Sequence, residues 1–440
     1  MWTYYPDLLA ANVPRYTSYP TAVEFSDQVG GQAFANAVED IAQDTPISLY
    51  LHIPYCRQIC WYCGCSTGPA SKEKRLTGYL AALEEEIIQV AERLDGRGRV
   101  QNIAFGGGSP NAIAPVEFVR LMDRVMTMFN CDNPQISVEL DPRIFSVEWA
   151  ATLSRCGVTR VSLGVQSFSE NIQRAIGRIQ PLHMIENCMW QLRETGIKGI
   201  NFDLMYGLPG QSQQDLLETL EITAGLAPDR IALFGYAHMP QLFPRQRRID
   251  GSALPEPAQR FEMAELGFNF LTKAGYTAIG FDHFAKPEDS LAISARTGTL
   301  RRNFQGFTDD SSDTLIAMGA SAISHFSNYI LQNEKNVGDY RVSASAHRNC
   351  AIRGVARNAD DHVRGKLIEN LLCTGNSGQI PDNIMQQVHA GIRPFVDRGL
   401  ARLEAGCIIM EPDGIAYSRA VAALLDAYRK PATQQFSSAI

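Results

Sequence analysis

The sequence predicts an α/β fold in which six parallel strands, each followed by a helix, close partly into a barrel. Between residues 47 and 282, short apolar strand patterns alternate with amphipathic helical patterns. Such alternation favours a parallel sheet with right-handed crossovers. Four of the strands, at residues 47–53, 136–141, 159–165 and 199–205, also alternate apolar with polar side chains. Their apolar faces suit a covering layer of helices, and their polar faces line an interior. We therefore expect a partial parallel (β/α)6-type barrel around a polar cavity, with an N-terminal arm and a mostly helical C-terminal domain.

Length and composition indicate the broad class of the protein. The 440 residues are enough for about two or three domains, and the 45% of hydrophobic residues can fill a large core. The formal net charge of −7 argues against a nucleic-acid-binding surface. No signal peptide is apparent, no apolar run is long enough to span a membrane, and most cysteines outside one short segment are scattered singly. We expect a soluble protein of the reducing cytoplasm.

Changes of pattern divide the chain into four predicted regions. Residues 1–46 form an N-terminal arm over the active site, and residues 47–282 form the barrel. Residues 283–360 form an extension of the barrel, and residues 361–440 form the mostly helical domain. Residues 14–21 are too rich in proline and tyrosine for a helix, so the arm is expected to be extended. A winged-helix shape is possible for the last region, but its acidic balance disfavours DNA binding.

Strand and helix boundaries follow from periodicity and from capping residues. The predicted strands cover residues 47–53, 102–107, 136–141, 159–165, 199–205, 230–236 and 276–282. Serines that can cap free N–H groups mark several helix starts, and Ser212 with Asp215 resembles a capping box. In the last region we expect helices at residues 363–372, 381–398 and 417–429, and a hairpin around residues 411–414.

The polar faces of three strands end in side chains that can hold a polar ligand. Glu139, Gln166 and Asp203 lie at equivalent positions near the strand ends. A filled barrel core would carry branched apolar residues there. One such residue could simply bond a neighbouring loop, but three at the same end favour a ligand cavity. Three glycines at residues 106–108 follow the second strand and let the backbone approach the same ligand closely.

Four cysteines, Cys56, Cys60, Cys63 and Cys65, lie in one loop directly after the first strand. A zinc site would normally need a second Cys or His pair further along the chain, and none is found. A disulfide framework is disfavoured because no second cysteine group is present and nothing suggests secretion. The first three thiolates have the spacing that holds three irons of a cubane and leaves the fourth iron free. This is the pattern of radical S-adenosylmethionine (SAM) enzymes, with a structural zinc site as the alternative.

Further motifs along nearly the whole chain resemble one family of these enzymes. They lie at residues 14–20, 164–166, 203–209, 236–238, 282–285, 302–306 and 434–437. Residues 14–20 and the Cys63-Gly-Cys65 sequence separate this family from other radical SAM enzymes. The chain resembles the oxygen-independent coproporphyrinogen III oxidases of haem biosynthesis.

The resemblance implies both an activity and a set of site residues. The activity is oxidative decarboxylation of two propionates of coproporphyrinogen III to vinyl groups, giving protoporphyrinogen IX through a 5′-deoxyadenosyl radical. The implied cofactors are a [4Fe–4S] cluster on Cys56, Cys60 and Cys63 and two SAM molecules. The residues implied to contact the cluster-bound SAM are Tyr50, Tyr62, Gly107, Glu139 and Ile323. Those implied to contact the second SAM are Gly108, Ser109, Gln166, Arg178, Asp203 and Ala237. Ser109 replaces a threonine expected in the family but keeps its hydroxyl group.

The remaining expectations concern the substrate, the fourth cysteine and partners. The substrate carries four carboxylates, and Arg15, Arg301 and Arg302 are our candidates to meet them. Cys65 is either a structural cysteine or a participant in turnover, and we favour a catalytic role. We also expect a monomer that receives electrons from a flavodoxin- or ferredoxin-like donor, with no nucleic-acid partner and no membrane span.

Two related groups of tetrapyrrole-binding proteins are the main alternatives. Haem-binding chaperones share the cluster loop but usually lack the fourth cysteine and the motif at residues 14–20, both of which are present here. Haem-degrading radical methyltransferases would also bind a tetrapyrrole. The basic pair Arg247 and Arg248 is interpreted as part of a solvated face.

Overall fold

One twelve-stranded sheet organises the molecule. The computed structural model describes residues 2–70 and 73–429. Its central strands, β1–β6, are Pro46–Ile53, Arg99–Gly107, Cys131–Leu140, Arg160–Gln166, Gly199–Tyr206 and Arg230–Gly235. They lie side by side in chain order, and each pairs in parallel with the next. The predicted α/β arrangement with six parallel strands is confirmed.

Ten shorter strands follow along the chain. Strands β7–β16 are Thr277–Ile279, His283–Ala285, Arg301–Asn303, Gly306–Thr308, Thr314–Met318, Ile323–His325, Tyr329–Asn333, Ala351–Ala356, Ala401–Glu404 and Cys407–Met410. The order in the large sheet is β14-β13-β12-β11-β1-β2-β3-β4-β5-β6-β8-β7. The sheet therefore continues well past residue 282, while the limits of the four predicted regions stay predictions.

The two flanks of the parallel strands differ from the sequence prediction. Strand β11 pairs in parallel with β1, although no strand was predicted there. Its five residues are all buried, so they show no polar–apolar alternation that could have revealed it. On the other flank, the strand predicted near residues 276–282 is the three-residue β7, which pairs antiparallel with β8.

Thirteen α-helices of five residues or more occur in the described part of the chain. Helices α1–α13 are Gly31–Glu39, Glu73–Leu94, Pro115–Met128, Val147–Arg155, Glu170–Ala175, Leu182–Glu194, Gln213–Leu226, Pro257–Lys273, Ser290–Thr297, Val337–Ser345, Ala359–Thr374, Asp382–Val396 and Ser418–Ala422. The predicted capping box of α7 is confirmed, because Ser212 Oγ accepts from Asp215 N at 3.1 Å and Asp215 Oδ2 accepts from Ser212 N at 2.9 Å. None of these helices combines the length and apolar character that a membrane crossing requires.

Alternating burial along the strands separates a helix-facing core from a polar interior. In β5, Ile200, Phe202 and Leu204 are fully buried against the helices. Asn201 and Asp203, on the other face, are only half-buried. Burial of the apolar face supplies most of the stability of such a layer, and the polar face is left to line the barrel.

An ion-pair network ties together the amino ends of two barrel strands. Asp309 accepts from Arg160 of β4 at 3.2 Å and from Arg230 of β6 at 3.4 Å. Burial alone would raise the pKa of Asp309, but the two guanidinium groups outweigh it and hold that pKa well below its usual range. Ser290 at the start of α9 donates to the same carboxylate. These contacts close the barrel end that lies opposite the cysteine loop.

The N-terminal arm packs into the core of the C-terminal region. Val13, Tyr16 and Tyr19 are buried among residues of α11, α12 and α13. Tyr16 Oη donates to Asp426 Oδ2 at 3.0 Å, which joins the two ends of the chain. A cavity of about 820 Å³ lies between the arm, the β9–β10 hairpin and α11.

The C-terminal region is mostly helical, but two of its predicted details are wrong. The hairpin turns at Ala405 and Gly406, which both have positive φ as a tight hairpin turn requires, and not at residues 411–414. Residues 412–417 form a 3₁₀ turn instead. The last helix, α13, covers five residues rather than residues 417–429. The motif at residues 434–437 lies outside the described residues.

Candidate active site

The cysteine loop leaves β1 at its carboxyl end, where ligands of barrel proteins bind. A short parallel pairing between Tyr55–Cys56 and Gly68–Pro69 holds the two ends of the loop together. Cys60 is buried, Cys56 and Cys63 are half-buried, Cys65 is exposed, and all four thiols are free. Among the described residues, no three His, Cys, Asp or Glu side chains converge tightly enough to hold a single metal ion. The thiols of a cubane each bind a different iron, so they need not converge on one point.

Hydrogen-bond donors surround the thiols of the first three cysteines. Cys60 Sγ accepts from Arg143 Nη2 at 3.3 Å and from Arg178 Nη1 at 3.2 Å. Cys56 Sγ lies 3.3 Å from the hydroxyl of Thr67. Cys63 Sγ accepts from the backbone N–H of Cys65 at 3.3 Å, and the hydrogen bond with the Cys65 thiol lowers the pKa of Cys63 to about 6. Donors and positive charges of this kind favour the thiolate form, which is the form that binds iron. At Cys56 burial outweighs the Thr67 hydrogen bond and raises the pKa of the thiol to about 11.

Two carboxylates face each other inside the barrel. Glu139 Oε2 accepts from Gly107 N at 3.0 Å, and burial with a further contribution from Asp203 raises the pKa of Glu139 to about 7. Asp203 accepts from Ser162 Oγ and Asn201 Nδ2, each at 2.8 Å, and burial raises its pKa as well. The predicted polar interior is therefore present, with acceptors that can meet ammonium and hydroxyl groups.

Tyr50 and His52 share the interior face of β1. The Tyr50 hydroxyl lies 3.0 Å from His52 Nδ1, and His52 Nε2 lies 3.1 Å from the carbonyl of Ser66. Because a carbonyl only accepts, Nε2 carries the proton and Nδ1 accepts from Tyr50. Burial lowers the pKa of His52, which favours this neutral form. Gly107 has a φ of +109°, and a Cβ there would lie 2.3 Å from the His52 ring, so only glycine fits.

Gln166 and Arg178 lie beside the two carboxylates. Gln166 has a positive φ of 62°, and its buried Oε1 has no hydrogen-bond partner. Arg178 donates from Nε and Nη2 to the carbonyl of Gly164 at 3.1 and 2.7 Å, in addition to its bond with Cys60. The guanidinium group of Arg178 is thus engaged by protein acceptors and links β4 to the cysteine loop.

The other predicted nucleotide contacts border the same end of the barrel. Gln246 Nε2 donates to the carbonyls of Tyr62 at 2.8 Å and Ala237 at 3.1 Å, which brings these two positions together. Ser109 is buried and donates to Asn111 Oδ1 at 2.6 Å. A Cβ at Gly108 would lie 2.6 Å from the carbonyl of Tyr55.

Ile323 begins β12 and lines the 820 Å³ cavity between arm and barrel. Phe304 also lines this cavity and makes an edge contact with Tyr50, with ring centroids 4.5 Å apart. These two residues therefore separate the cavity from the barrel interior.

Comparison with known proteins identifies the family. Residues 50–222 match the model of the Radical SAM superfamily. The chain is 39% identical to the oxygen-independent coproporphyrinogen III oxidase of Bradyrhizobium diazoefficiens, over 97% of each chain. It is 37% identical to the enzyme of the same name from Escherichia coli, over 97% of this chain and 96% of that one. The solved coproporphyrinogen III oxidase from Escherichia coli, described as a radical SAM enzyme, has a TM-score of 0.91 and 34% identity, covering 97% of this chain and all of that one.

The chain belongs to the oxygen-independent coproporphyrinogen III oxidases.

The residues present fit the cofactors of a radical SAM enzyme, a [4Fe–4S] cluster and SAM. Three thiols of one loop receive donors that stabilise thiolates. The Oε1 atom of Gln166 has no partner in the protein and can accept a hydrogen bond from a nucleotide. Gly107 has no side chain, so a nucleotide can lie close to its backbone. The expected cofactor classes of this family therefore agree with the local chemistry, while the individual contacts stay predictions.

The three arginines predicted to meet the substrate occupy different settings. Arg15 is exposed, donates to the carbonyl of Gly235 at 3.2 Å and lies over the Phe234 ring. Arg302 donates to the carbonyl of Arg15 at 3.1 Å, and its buried Nη1 has no partner. Arg301 instead makes ion pairs with Asp313 at 2.8 Å and Glu369 at 2.9 Å. The structure brings Arg15 and Arg302 together, and Arg301 lines the same cavity while paired with two carboxylates. All three substrate contacts stay predictions.

Sequence reasoning missed several residues of the site. His52 shares the polar face of β1 with Tyr50, so the alternation could have revealed it. Gln246 lies inside a basic run and is 1% exposed, whereas Arg247 and Arg248 are exposed as interpreted. Arg143 contacts Cys60, a residue far away in the sequence, and no local signal predicts that contact.

Proposed function

We propose that this oxygen-independent coproporphyrinogen III oxidase decarboxylates two propionates of coproporphyrinogen III to vinyl groups, giving protoporphyrinogen IX. The observation that carries the proposal is the cysteine loop, which lies at the carboxyl end of a barrel whose interior holds Glu139, Gln166 and Asp203. Full-length relatives with this name support the choice of substrate.

Cys56, Cys60 and Cys63 are proposed to hold the cluster. When bound and reduced, the [4Fe–4S] cluster supplies the electron that cleaves SAM into methionine and a 5′-deoxyadenosyl radical. Glu139 and Asp203 can accept hydrogen bonds from the ammonium and ribose hydroxyl groups of SAM. We propose two SAM sites, the first bordered by Tyr50, Gly107 and Ile323.

The second proposed SAM site adjoins the first inside the barrel. Its residues are Gly108, Ser109, Gln166, Arg178, Asp203 and Ala237. Support comes from the orphaned Gln166 Oε1. The Arg178 guanidinium group is already engaged, so we propose that this side chain positions the cysteine loop beside the nucleotide.

The substrate is proposed to enter through the cavity beneath the N-terminal arm. Its volume of about 820 Å³ lies in the range of roughly 300–1,000 Å³ typical of small-molecule sites. Arg15 and Arg302 line it, and the unpartnered Nη1 of Arg302 can donate to a propionate carboxylate. Phe304 and Ile323, at the boundary with the barrel, are positioned to guide the opposite edge of the macrocycle toward the nucleotide.

The reaction removes one hydrogen atom, one CO2 and one electron from each propionate. With SAM bound, the 5′-deoxyadenosyl radical that it would supply would accept the hydrogen atom of the β-carbon, and an electron acceptor would take the electron as the vinyl group forms. Cys65 lies two residues from Cys63, and we propose that its thiol takes part in turnover. We further propose a cytoplasmic monomer that draws electrons from a flavodoxin- or ferredoxin-like donor.

A product assay tests the proposed function. The anaerobically reconstituted protein is incubated with coproporphyrinogen III, SAM and a reductant, and the products are separated by chromatography after oxidation. We expect protoporphyrin from the wild-type chain and none from Cys60→Ala. A chaperone would bind haem without this conversion, a methyltransferase would yield a methylated or opened tetrapyrrole, and a zinc module would yield no product. Any of these three results would overturn the proposal.

A further inference from the structure

The segments that surround the cysteine loop have an unusual charge composition. Residues 54–67, 171–181 and 236–249 contain six arginines and no aspartate or glutamate. The whole chain, by contrast, carries a formal net charge of −7. An arginine-rich region on an acidic protein creates a local positive potential that the net charge does not reveal.

Contacts join the second and third segments to the first segment, which is the cysteine loop. Trp61 N donates to the carbonyl of Ile176 at 3.0 Å. A Cβ at Gly64 would lie 3.4 Å from the Phe243 ring. Gln246 also reaches the carbonyl of Tyr62, as described above. The loop is therefore clasped between the second and third segments.

The three segments carry exposed arginines and exposed apolar side chains. We call the surface that they form the arginine surface and define it by Arg57, Arg174, Arg247, Arg248, Trp61, Ile179 and Leu242. The four arginines are exposed, and Ile179 and Leu242 are 54% and 51% exposed. The guanidinium carbon of Arg248 lies 5.7 Å from the centroid of the Trp61 ring. Apolar side chains beside arginine and tryptophan are the composition typical of protein interfaces.

The arginine surface has few local acidic partners. In the described part of the chain, Arg57, Arg247 and Arg248 form no ion pair, while Arg174 pairs with Glu170 at the edge of the surface. Asp250, at another edge, accepts from Ser252. The net charge of the surface is thus positive and open to an outside partner.

The position of the arginine surface beside the cysteine loop matters for the supply of electrons to the cluster. If the proposed function holds, the cluster must take up one electron for each SAM cleavage, and the loop that holds it contributes Arg57 and Trp61 to the arginine surface. We propose that the arginine surface docks a small acidic one-electron carrier protein. The carrier loses one electron, the cluster gains it, and no bond or proton changes in the transfer. The arginine pair Arg15 and Arg302 of the substrate cavity lies outside this surface.

Charge reversal combined with two reductants tests the docking proposal. Reduced flavodoxin is the acidic protein probe, dithionite is the small-molecule reductant, and bleaching of the cluster absorbance is followed by stopped flow. We expect the Arg247→Glu/Arg248→Glu variant to accept electrons from flavodoxin about tenfold more slowly at low salt, because steering by opposite charge accelerates association. Added salt should slow the wild-type reaction and leave the variant nearly unchanged.

A matched control changes charge elsewhere by the same amount. Arg155 and Arg348 are exposed and lie outside the three segments, so Arg155→Glu/Arg348→Glu should react with flavodoxin like the wild type. Dithionite, a small anion used in excess, should bleach the cluster of all three proteins to the same final extent. Equal flavodoxin rates in all three, with dithionite reduction intact, would overturn the docking proposal. Failure of dithionite to bleach the wild-type protein would instead contradict the cluster and the proposed function.

Discussion

The interior of the barrel brings the pKa of Glu139 close to neutral pH. Burial and the nearby Asp203 raise its pKa to about 7, while the N–H of Gly107 favours the ionised form. SAM carries a positive sulfonium group, so its binding should favour the ionised carboxylate. The protonation state of Glu139 then links SAM affinity to pH near neutrality.

We predict that SAM binds more tightly as the pH rises from about 6 to about 8. Glu139→Gln keeps the size of the side chain and removes its charge, so affinity should fall about ten- to a hundredfold at pH 8, the value of a charge-assisted hydrogen bond. Equilibrium dialysis of SAM with the reconstituted proteins measures both effects. If the variant keeps the pH dependence of the wild type, another group controls it.

Cys65 is the residue whose role the sequence left most open. It is exposed, and its thiol and backbone N–H both contact Cys63. Because it is not one of the three proposed ligands, Cys65→Ser should keep the iron content and absorbance of the cluster. We expect decarboxylation to fall at least about a hundredfold, a loss typical of removing a group that takes part in proton transfer or bonding. Full activity in this variant would assign Cys65 a structural role.

At the scale of elements, the amino ends of β4 and β6 depend on one carboxylate. Asp309 joins Arg160 and Arg230, and those arginines hold its pKa below the usual range against the effect of burial. A carboxyl group with a lowered pKa in the folded state stabilises the fold above its unfolded pKa of about 4. That stabilisation is lost as the pH falls through the lower, folded value.

We predict that Asp309→Asn lowers the free energy of unfolding at pH 7 by roughly 3 kcal/mol, because it leaves Arg160 without its carboxylate partner and Arg230 with Asp289 alone. The difference from the wild type should shrink as the pH falls below about 4. Denaturant unfolding at both pH values measures this. Asp123→Asn, at an exposed position of α3 without an ion pair among the described residues, is the control. An equal effect of the two substitutions would contradict the role of Asp309.

Strands whose side-chain alternation is visible in a short stretch of sequence could be predicted. Strands and contacts that depend on residues far away in the sequence could not. The alternation along β1, β3, β4 and β5 revealed those strands and the interior carboxylates Glu139 and Asp203. Strand β11 is uniformly buried and joins the sheet through β1, more than 260 residues earlier. Arg178 shows the same limit within the site, since its partner Cys60 lies 118 residues away. The resemblance implies a contact between Arg178 and the second SAM, and the fold adds bonds from its guanidinium group to Gly164 and Cys60.

At the scale of the whole molecule, the arm and the C-terminal region enclose a cavity beside the barrel. Buried Tyr16 and Tyr19 attach the arm to the C-terminal region through Asp426 and Ala427. The arm thereby carries Arg15 to the cavity and next to Arg302. The substrate site thus depends on segments from both ends of the chain.

We predict that Arg15→Glu and Arg302→Glu each weaken coproporphyrinogen III binding about tenfold or more, since each removes a charged hydrogen bond to a carboxylate. Arg301→Glu should lower stability, because Arg301 pairs with Asp313 and Glu369. Anaerobic substrate titration measures affinity, and 5′-deoxyadenosine formation without substrate measures SAM cleavage separately. Unchanged substrate affinity in all three variants would remove these arginines from the substrate site.

The central claim is that a radical made from SAM takes hydrogen from a substrate propionate. Coproporphyrinogen III deuterated at the propionate β-carbons tests it most directly, with mass spectrometry of the 5′-deoxyadenosine formed by the reconstituted protein. We predict that the 5′-deoxyadenosine gains one deuterium per molecule and that protoporphyrinogen IX forms in the same reaction. Protoporphyrinogen IX accompanied by 5′-deoxyadenosine without deuterium would contradict the account.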